Sequence, residues 1–182
     1  MAKKTDDKPK GMAHNIPVYC SHDMIVLTED LIKNPRNPNT HPQNQIEALA
    51  KIIQKQGWRA PITVSKRSGF IVKGHGRLEA AIFAGLNEVP VDYQSYENEA
   101  AEWADLVADN RLSELSTMNN DMLNELLQEI SEAEDFDFDL TGYDESILDS
   151  ILEEEDPPSD FDEYDEDIET THECPQCGYK WS

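Results

Sequence analysis

The motif that could most readily bind a ligand or catalyse a reaction is Gly74-His75-Gly76-Arg77. It lies where an apolar run ends and a helical pattern begins. Glycine lets the backbone approach a ligand closely, and the first turn of a helix presents unpaired N–H groups with partial positive charge. Arg77 in that turn opposes the helix dipole, a cost that makes sense where an anion binds. We therefore predict a phosphate-binding turn in which His75 donates to phosphate or acts as the catalytic proton-transfer group. A tight turn with a surface Arg is the alternative.

A second chemical motif lies near the end of the chain, where Cys174 and Cys177 are separated by two residues and followed by Gly178. This spacing lets two thiolates meet one Zn²⁺, and a closed tetrahedral site needs two further ligands. His172 supplies one of them locally. Cys20 or His22, a second copy of the chain or a partner could complete the site. We predict a zinc-knuckle-like tail at 172–182 with ligands Cys174, Cys177 and His172; an unmetallated tail is the alternative.

The elements that position these residues follow from the spacing of apolar side chains. Short apolar runs predict strands, Ser68-Gly69 predicts a hairpin turn, and Pro90 indicates an edge or first position in its strand. The predicted strands are 24–27, 61–65, 70–73 and 89–93, and the predicted helices are 44–56, 78–84, 99–115 and 122–130. For the third helix, the pattern predicts an apolar face that includes Trp103, Ala104 and Val107. This order of elements predicts an α+β domain.

Charge divides the chain into two parts. The 182 residues carry a net charge of −23. Residues 1–131 hold 14 basic and 18 acidic side chains, whereas residues 132–182 hold one basic and 20 acidic side chains. The second part cannot bind nucleic acid directly, because phosphate binding depends on Lys and Arg. The predicted organisation is a disordered N-terminus at 1–13, the domain at 14–131, a docked acidic extension with a short helix at 132–152, an acidic linker at 153–171 and the zinc-knuckle-like tail.

The same composition predicts the surroundings of the protein. No run approaches 18 apolar residues, and the charged start lacks the apolar segment of a signal peptide. Three cysteines without a secretory signal argue against a disulfide framework. We expect a cytoplasmic protein that does not contact membranes.

Five motifs occur together in an order that resembles the ParB/sulfiredoxin-type N-terminal domain, over about residues 22–131. The resemblance is strongest to the version encoded in phages and mobile elements, often fused or adjacent to DNA methyltransferases. It implies a small mixed sheet with packed helices. Residues 108–111 and 140–144 also resemble that subgroup. The five motifs are Asn34-Pro35-Arg36-Asn37, the helix 44–56, the segment 57–62, the turn 74–77 and the segment 85–91.

The resemblance also implies a ligand. In partition ParB proteins the turn that matches 74–77 holds CTP, and in other branches ATP or ADP, so Gly74, His75, Gly76 and Arg77 are expected on phosphate. Arg36, Arg59 and Pro61 join this set through their motifs. Asp109-Asn110 resembles the Glu-Asn pair that helps hold the nucleotide's magnesium, a metal that prefers oxygen ligands beside phosphate. One departure is Ser113, where ParB proteins carry a further Arg.

The departures from the wider family exclude one of its activities and argue against a second. The catalytic Cys of sulfiredoxin falls on His75, so the required thiolate is missing. Partition proteins follow this domain with a helix-turn-helix DNA reader, whereas the acidic region here lacks the positive charge of a recognition helix.

Three functions stay open. The first is a nucleotide-binding protein, with or without slow NTP hydrolysis, in phage or mobile-element DNA metabolism. The second is a DNA nuclease on the same fold, whose residues 14–131 would contact DNA through a basic face. The third is a non-enzymatic adaptor or DNA mimic that recruits or blocks a DNA methyltransferase or another DNA enzyme. The sequence also leaves open whether the chain forms a homodimer.

Overall fold

The computed structural model describes residues 8–133, 136–143 and 172–181. Two short 3₁₀ helices, Thr28–Asp30 and Phe138–Thr141, accompany the regular elements. In chain order the strands and helices are β1 (Gly11–Ala13), β2 (Ile16–Val18), β3 (Met24–Leu27), α1 (Gln43–Gln56), β4 (Ile62–Ser65), β5 (Ile71–Lys73), α2 (His75–Phe83), β6 (Glu88–Gln94), α3 (Glu99–Leu115), α4 (Asn120–Ser131), β7 (His172–Glu173) and β8 (Lys180–Trp181).

A four-stranded mixed sheet forms the centre of the domain, with strand order β3-β6-β4-β5. β6 pairs antiparallel with β3 and parallel with β4, and β4 and β5 form an antiparallel hairpin. These pairings confirm the predicted α+β class, the small mixed sheet and the hairpin around Ser68-Gly69. Parallel neighbours need a crossover connection, and here β5 and α2 supply it.

The sequence predicts either a sheet edge or a first position for Pro90, and the edge does not apply, because β6 is flanked on both sides. Proline is tolerated there because it has no backbone N–H and so leaves no hydrogen-bond donor without a partner. Pro90 lies opposite Ile25 in the ladder to β3, and the ladder to β4 begins only with the next residue, at the pair Ile62–Val91. Pro90 therefore occupies the first position before that second ladder.

The hydrophobic core lies between this sheet and the pair of helices α1 and α2. α1 contributes Ile46, Ala50 and Ile53, all at most 5% exposed, at the helical spacing that the sequence predicts. α2 contributes Leu78, which is 1% exposed. Burying such a side chain contributes about 1.5–3 kcal/mol, so this core fixes where α2 begins on the sheet.

The segment before the sheet differs from the predicted disorder of residues 1–13. Gly11–Ala13 forms β1 and pairs with β2 across a turn at His14 and Asn15, both of which have positive φ. Ala13 and Val18 are fully buried, which explains why the hairpin is ordered from β1 onward. Periodicity did not reveal it because each strand has only three residues.

The apolar face predicted for the third helix is wrong. In α3 the buried residues are Glu102 and Leu106, while Ala104 and Val107 are exposed. The helix is rotated from the predicted position because the Glu102 carboxylate finds three hydrogen-bond donors beneath the helix, which makes its burial favourable.

Residues 136–143 lie against α1. Lys51 of that helix makes ion pairs with Asp137 and Asp139, at 3.2 and 2.5 Å. The predicted short helix near 147–152 and the predicted linker 153–171 lie outside the described residues. Within the described ranges, no helix combines the length and hydrophobicity needed to cross a membrane.

Candidate functional site

The turn between β5 and α2 is built around Gly74, which occupies the left-handed region with φ of 92° and caps the helix. A Cβ at this position would lie 3.0 Å from the Arg77 guanidinium and 3.4 Å from the Ile62 backbone, so only glycine fits without strain. Among the residues that the structure describes, no side chain caps the first turn of α2. Its N–H groups are therefore free to bind an anion.

Arg77 stands in this first turn, where its Nη1 donates to the carbonyl oxygen of Pro61 at 3.1 Å. Burial lowers the pKa of Arg77, and the nearby Asp109 partly opposes that effect. The guanidinium stays charged, because its ordinary pKa is far above neutrality. Within the described part of the chain, no carboxylate oxygen comes within 4.0 Å of it. A half-buried cation without a direct counter-ion favours an anionic ligand.

The turn opens into a cleft of about 200 Å³. Three parts of the chain form its walls: the loop before α1 with the first turns of that helix, the β5–α2 turn, and the second half of α3. The residues lining it are Asn37, Asn39, His41, Gln45, Leu49, Val72, Lys73, Gly74, His75, Gly76, Arg77, Asp109 and Asn110. The structure thus brings both parts of the expected nucleotide site, the phosphate turn and the Asp-Asn pair, into one cavity.

Asp109 and Asn110 reach the cleft from α3. Lys73 holds this helix near the turn, with its Nζ 2.9 Å from Asp105 Oδ1 and 3.9 Å from Asp109 Oδ1. Asn110 donates through Nδ2 to the carbonyl of Leu106 at 3.2 Å, which orients its amide. Magnesium usually takes one or two protein carboxylates and completes its shell with phosphate and water. A half-exposed Asp109 next to an amide and a phosphate turn fits that requirement.

His75 is the first residue of α2 and is only 7% exposed. Its Nε2 accepts a hydrogen bond from the backbone N–H of Asn34 at 3.3 Å. Burial lowers the pKa of His75, and the charges of His41 and Lys33 add to the effect. The ring is therefore neutral near pH 7, and the Asn34 bond assigns its proton to Nδ1.

A second imidazole, that of His41, covers the turn. Its Cε1 and Nδ1 lie 3.2 Å from the position that a Cβ on Gly76 would take, and its Nδ1 lies 3.1 Å from Gln45 Oε1. The sequence predicted only a loop at this point and no role for His41 in phosphate binding. The signal in the sequence that could have indicated this position is that His41 lies two residues before α1, so the end of the loop lies over the neighbouring helix α2.

Three further predicted residues are not among those that line the cleft. The Arg36 guanidinium is 4.0 Å from the ring centroid of Trp103, and that of Arg59 is 4.0 Å from the ring centroid of Tyr19. Neither side chain lines the cleft. Pro61 takes part through its carbonyl, which accepts the Arg77 hydrogen bond.

The tail residues 172–181 form a small hairpin, β7–β8. Its turn is closed by bonds from Cys174 N–H to the Tyr179 carbonyl at 2.8 Å and from Gly178 N–H to the Cys174 carbonyl at 2.9 Å. The N–H groups of Gln176 and Cys177 donate to the Cys174 sulfur and lower the pKa of that thiol. The His172 ring packs on Trp181, with centroids 5.7 Å apart. In the described parts of the chain no three His, Cys, Asp or Glu side chains cluster as a metal site.

Comparison with known proteins identifies the family of this chain. The family model of the ParB N-terminal domain matches residues 21–109. The ParB-like nuclease domain-containing protein YnaK of Escherichia coli (strain K12) is 33% identical over 63 residues, which are 35% of this chain and 71% of that protein. A ParB-like protein of Sulfolobus acidocaldarius is 38% identical over 61 residues, 32% of this chain and 31% of that protein.

Among solved structures, the fold resembles the C-terminally truncated chromosome-partitioning protein ParB of Caulobacter crescentus, crystallised with CTP-gamma-S. The TM-score is 0.58 and the identity 22%, over 71% of this chain and 76% of the other. At this identity the likeness concerns the fold, and the sequence matches carry the relationship. Together they establish that the chain belongs to the ParB N-terminal domain family.

Proposed function

We propose that the cleft binds a nucleoside di- or triphosphate together with Mg²⁺. One observation carries the proposal: the open N-terminus of α2, with Arg77 beside it, faces the same cavity as Asp109 and Asn110 of α3. Backbone N–H groups and a guanidinium suit phosphate oxygens, and a carboxylate with an amide suits the accompanying metal. The two halves of the site are complementary to the two halves of a magnesium nucleotide.

Each side chain has a distinct part in this binding. Arg77 neutralises phosphate charge, and the backbone at Gly74–Gly76 donates hydrogen bonds to the phosphate oxygens. Asp109 and Asn110 would hold the Mg²⁺, which would neutralise phosphate charge. The candidate nucleotides are CTP, ATP and ADP, and the Caulobacter crescentus protein of similar fold was crystallised with CTP-gamma-S.

Hydrolysis is expected to be slow or absent. His75, the predicted catalytic group, is a poor general base, because its Nε2 already accepts the Asn34 N–H and its Nδ1 carries the proton. His75 is better suited to donate a hydrogen bond to a phosphate oxygen than to remove a proton from water.

The wider role that we propose is in the DNA metabolism of a phage or mobile element, with a DNA methyltransferase as a candidate partner. A nuclease on this fold is the second candidate, and the Escherichia coli relative is named for a ParB-like nuclease domain. A non-enzymatic adaptor or DNA mimic, with or without homodimerisation, is the third.

We also propose that the hairpin 172–181 binds Zn²⁺ through Cys174 and Cys177. Two thiols three residues apart, on a turn closed by two backbone hydrogen bonds, are the usual half of a zinc site. His172, predicted as a third ligand, packs on Trp181. It would have to leave that ring to reach the metal.

The test of nucleotide binding is calorimetric titration of the full chain with CTP, ATP and ADP, with and without Mg²⁺. Arg77→Gln should weaken affinity by at least about tenfold, because a charged hydrogen bond to phosphate is worth about 1.5–3 kcal/mol. Asp109→Asn should remove most of the gain from Mg²⁺. Arg111→Gln is the matched control, since Arg111 lies on α3, pairs with Glu114 and does not line the cleft.

Equal affinity of wild type and Arg77→Gln for all three nucleotides, or no heat with any of them, would refute the proposal. Incubating the same preparations with supercoiled plasmid and Mg²⁺ tests the nuclease. Nicking that disappears in Asp109→Asn would favour the second candidate over the first.

A further inference from the structure

The hairpin 172–181 presents two cysteines on a turn that backbone hydrogen bonds close. Its two strands pair His172 with Trp181 and Glu173 with Lys180, and two backbone hydrogen bonds close the turn between them. Gly178 makes the return with φ of 74°, a conformation that a side chain would disfavour. Cys177 is exposed and Cys174 is partly exposed, so both sulfur atoms can be reached from outside.

The described part of the same chain does not offer the missing pair of ligands. Cys20 is the only other cysteine, and it packs against the hydrophobic core, where burial raises the pKa of its thiol. His22 is held by a bond between its Nδ1 and the Cys20 carbonyl, at 3.1 Å. Recruiting these two residues would break contacts of the folded domain.

We propose that two copies of the chain share one Zn²⁺, each contributing Cys174 and Cys177 of its hairpin. This inference rests on the proposed binding of zinc by the hairpin and adds its stoichiometry and its partner. A structural zinc site is closed by four ligands, and two identical Cys pairs supply four. A tetrahedron has twofold axes that exchange one pair of corners for the other, so the site matches the symmetry of a homodimer.

Charge does not prevent the hairpins from meeting. Each copy carries −23, but the described hairpin 172–181 contains one acid and one base, Glu173 and Lys180, which lie 4.0 Å apart. The hairpin is thus nearly neutral, unlike the acidic region that precedes it. The Tyr179 and Trp181 rings, stacked with centroids 6.4 Å apart, offer apolar surface on the same hairpin.

The test uses the full chain, stripped of metal under reducing conditions and titrated with ZnCl₂. Native mass spectrometry and light scattering should show a species of twice 20.7 kDa with one zinc per two chains. A chelator should return it to the monomer. Substitution with Co²⁺ should give the absorption of a four-thiolate site. Cys177→Ser should abolish the metal-dependent dimer, whereas Cys20→Ser, the matched control, should keep it.

The other outcomes are decisive as well. One zinc per monomer, with a Co²⁺ spectrum of two thiolates, would overturn the sharing and leave zinc binding by the hairpin intact. No zinc uptake above that of Cys177→Ser would overturn both. A dimer that survives chelation and Cys177→Ser would assign dimerisation to another surface and refute the inference.

Discussion

Gly76 is the residue at which binding and stability make opposite demands. It lies in the first turn of α2, where glycine costs about 0.5–1 kcal/mol relative to alanine. Its conformation does not require glycine, because its φ is not positive. What distinguishes it is the close approach of the His41 ring, 3.2 Å from the position of an added Cβ. Gly76 therefore keeps a surface over which a ligand and His41 can approach the backbone.

Replacing Gly76 by Ala should separate the two demands. The added methyl group favours the helix and displaces only the end of a flexible side chain, so the free energy of unfolding should change by less than about 1 kcal/mol. The same methyl group occupies the path of a phosphate to the α2 N–H groups. We expect nucleotide affinity to fall at least about tenfold in calorimetry, the loss of roughly one charged hydrogen bond.

Gly11→Ala is the control for this experiment, since its added Cβ would meet only His22, at an ordinary 3.5 Å, and neither residue lines the cleft. It should leave nucleotide affinity unchanged. An affinity in Gly76→Ala equal to that of wild type would mean that ligand does not approach the α2 backbone, and would place the phosphate elsewhere.

At the scale of elements, the position of α3 decides whether the cleft has the wall that carries Asp109 and Asn110. Glu102 fastens this helix to the β4–β5 hairpin: it is 1% exposed and accepts bonds from Ser65 Oγ at 2.6 Å, Ser68 Oγ at 2.7 Å and Arg67 Nε at 3.0 Å. Burial opposes its ionisation, but these donors hold the pKa of Glu102 below its usual value. Asp109 lies two turns further along the same helix, so in the proposed site Glu102 would position Asp109 and Asn110 without touching the ligand.

Glu102→Gln should therefore lower both stability and magnesium-dependent binding. A neutral amide cannot satisfy all three donors, and we expect a loss of about 2 kcal/mol in the free energy of unfolding. Denaturant titration measures that loss. Calorimetry in the folded range should show a smaller gain in nucleotide affinity from Mg²⁺ than in wild type.

Glu114→Gln is the matched control, because it is the same substitution on the same helix. Glu114 is 63% exposed and pairs only with Arg111 among the described residues. It should alter neither quantity measurably. If Glu102→Gln lowered stability but left the response to Mg²⁺ unchanged, α3 would be held in place by other contacts, such as the ion pair of Lys73 with Asp105.

The sequence could predict the features that depend on local contacts, but not those that depend on long-range contacts. The β4–β5 hairpin, α1 and the turn at Gly74 follow from neighbours in the chain, and the structure confirms them. The burial of Glu102 could not be predicted, because its three donors lie about 35 residues earlier and a charge on an otherwise apolar face reads as exposed. The same holds for His41, whose place over Gly76 depends on how α1 packs on α2.

At the scale of the whole molecule, charge is distributed so that the acidic region dominates the field around the domain. Residues 14–95 hold nine basic and seven acidic side chains, whereas residues 144–182 hold one basic and 15 acidic side chains. Long-range repulsion from the second group acts on any polyanion that approaches the first. It is screened beyond about 10 Å at 0.1 M salt. A bound nucleotide, held by short contacts with Arg77, should feel this repulsion much less than a DNA duplex does.

A chain ending after Tyr143 should therefore bind non-specific duplex DNA more tightly than the full chain. Residues 1–143 hold 14 basic and 23 acidic side chains, a net charge of −9 against −23 for the whole. In fluorescence anisotropy at about 50 mM NaCl we expect a gain of at least about tenfold, shrinking toward 200 mM as phosphate contacts weaken and repulsion is screened. Nucleotide affinity, measured on the same samples, should stay the same and shows that the cleft is intact. Weaker DNA binding by the shortened chain would show instead that the segment after Tyr143 contributes contacts of its own, because removing acidic charge alone can only favour a polyanion.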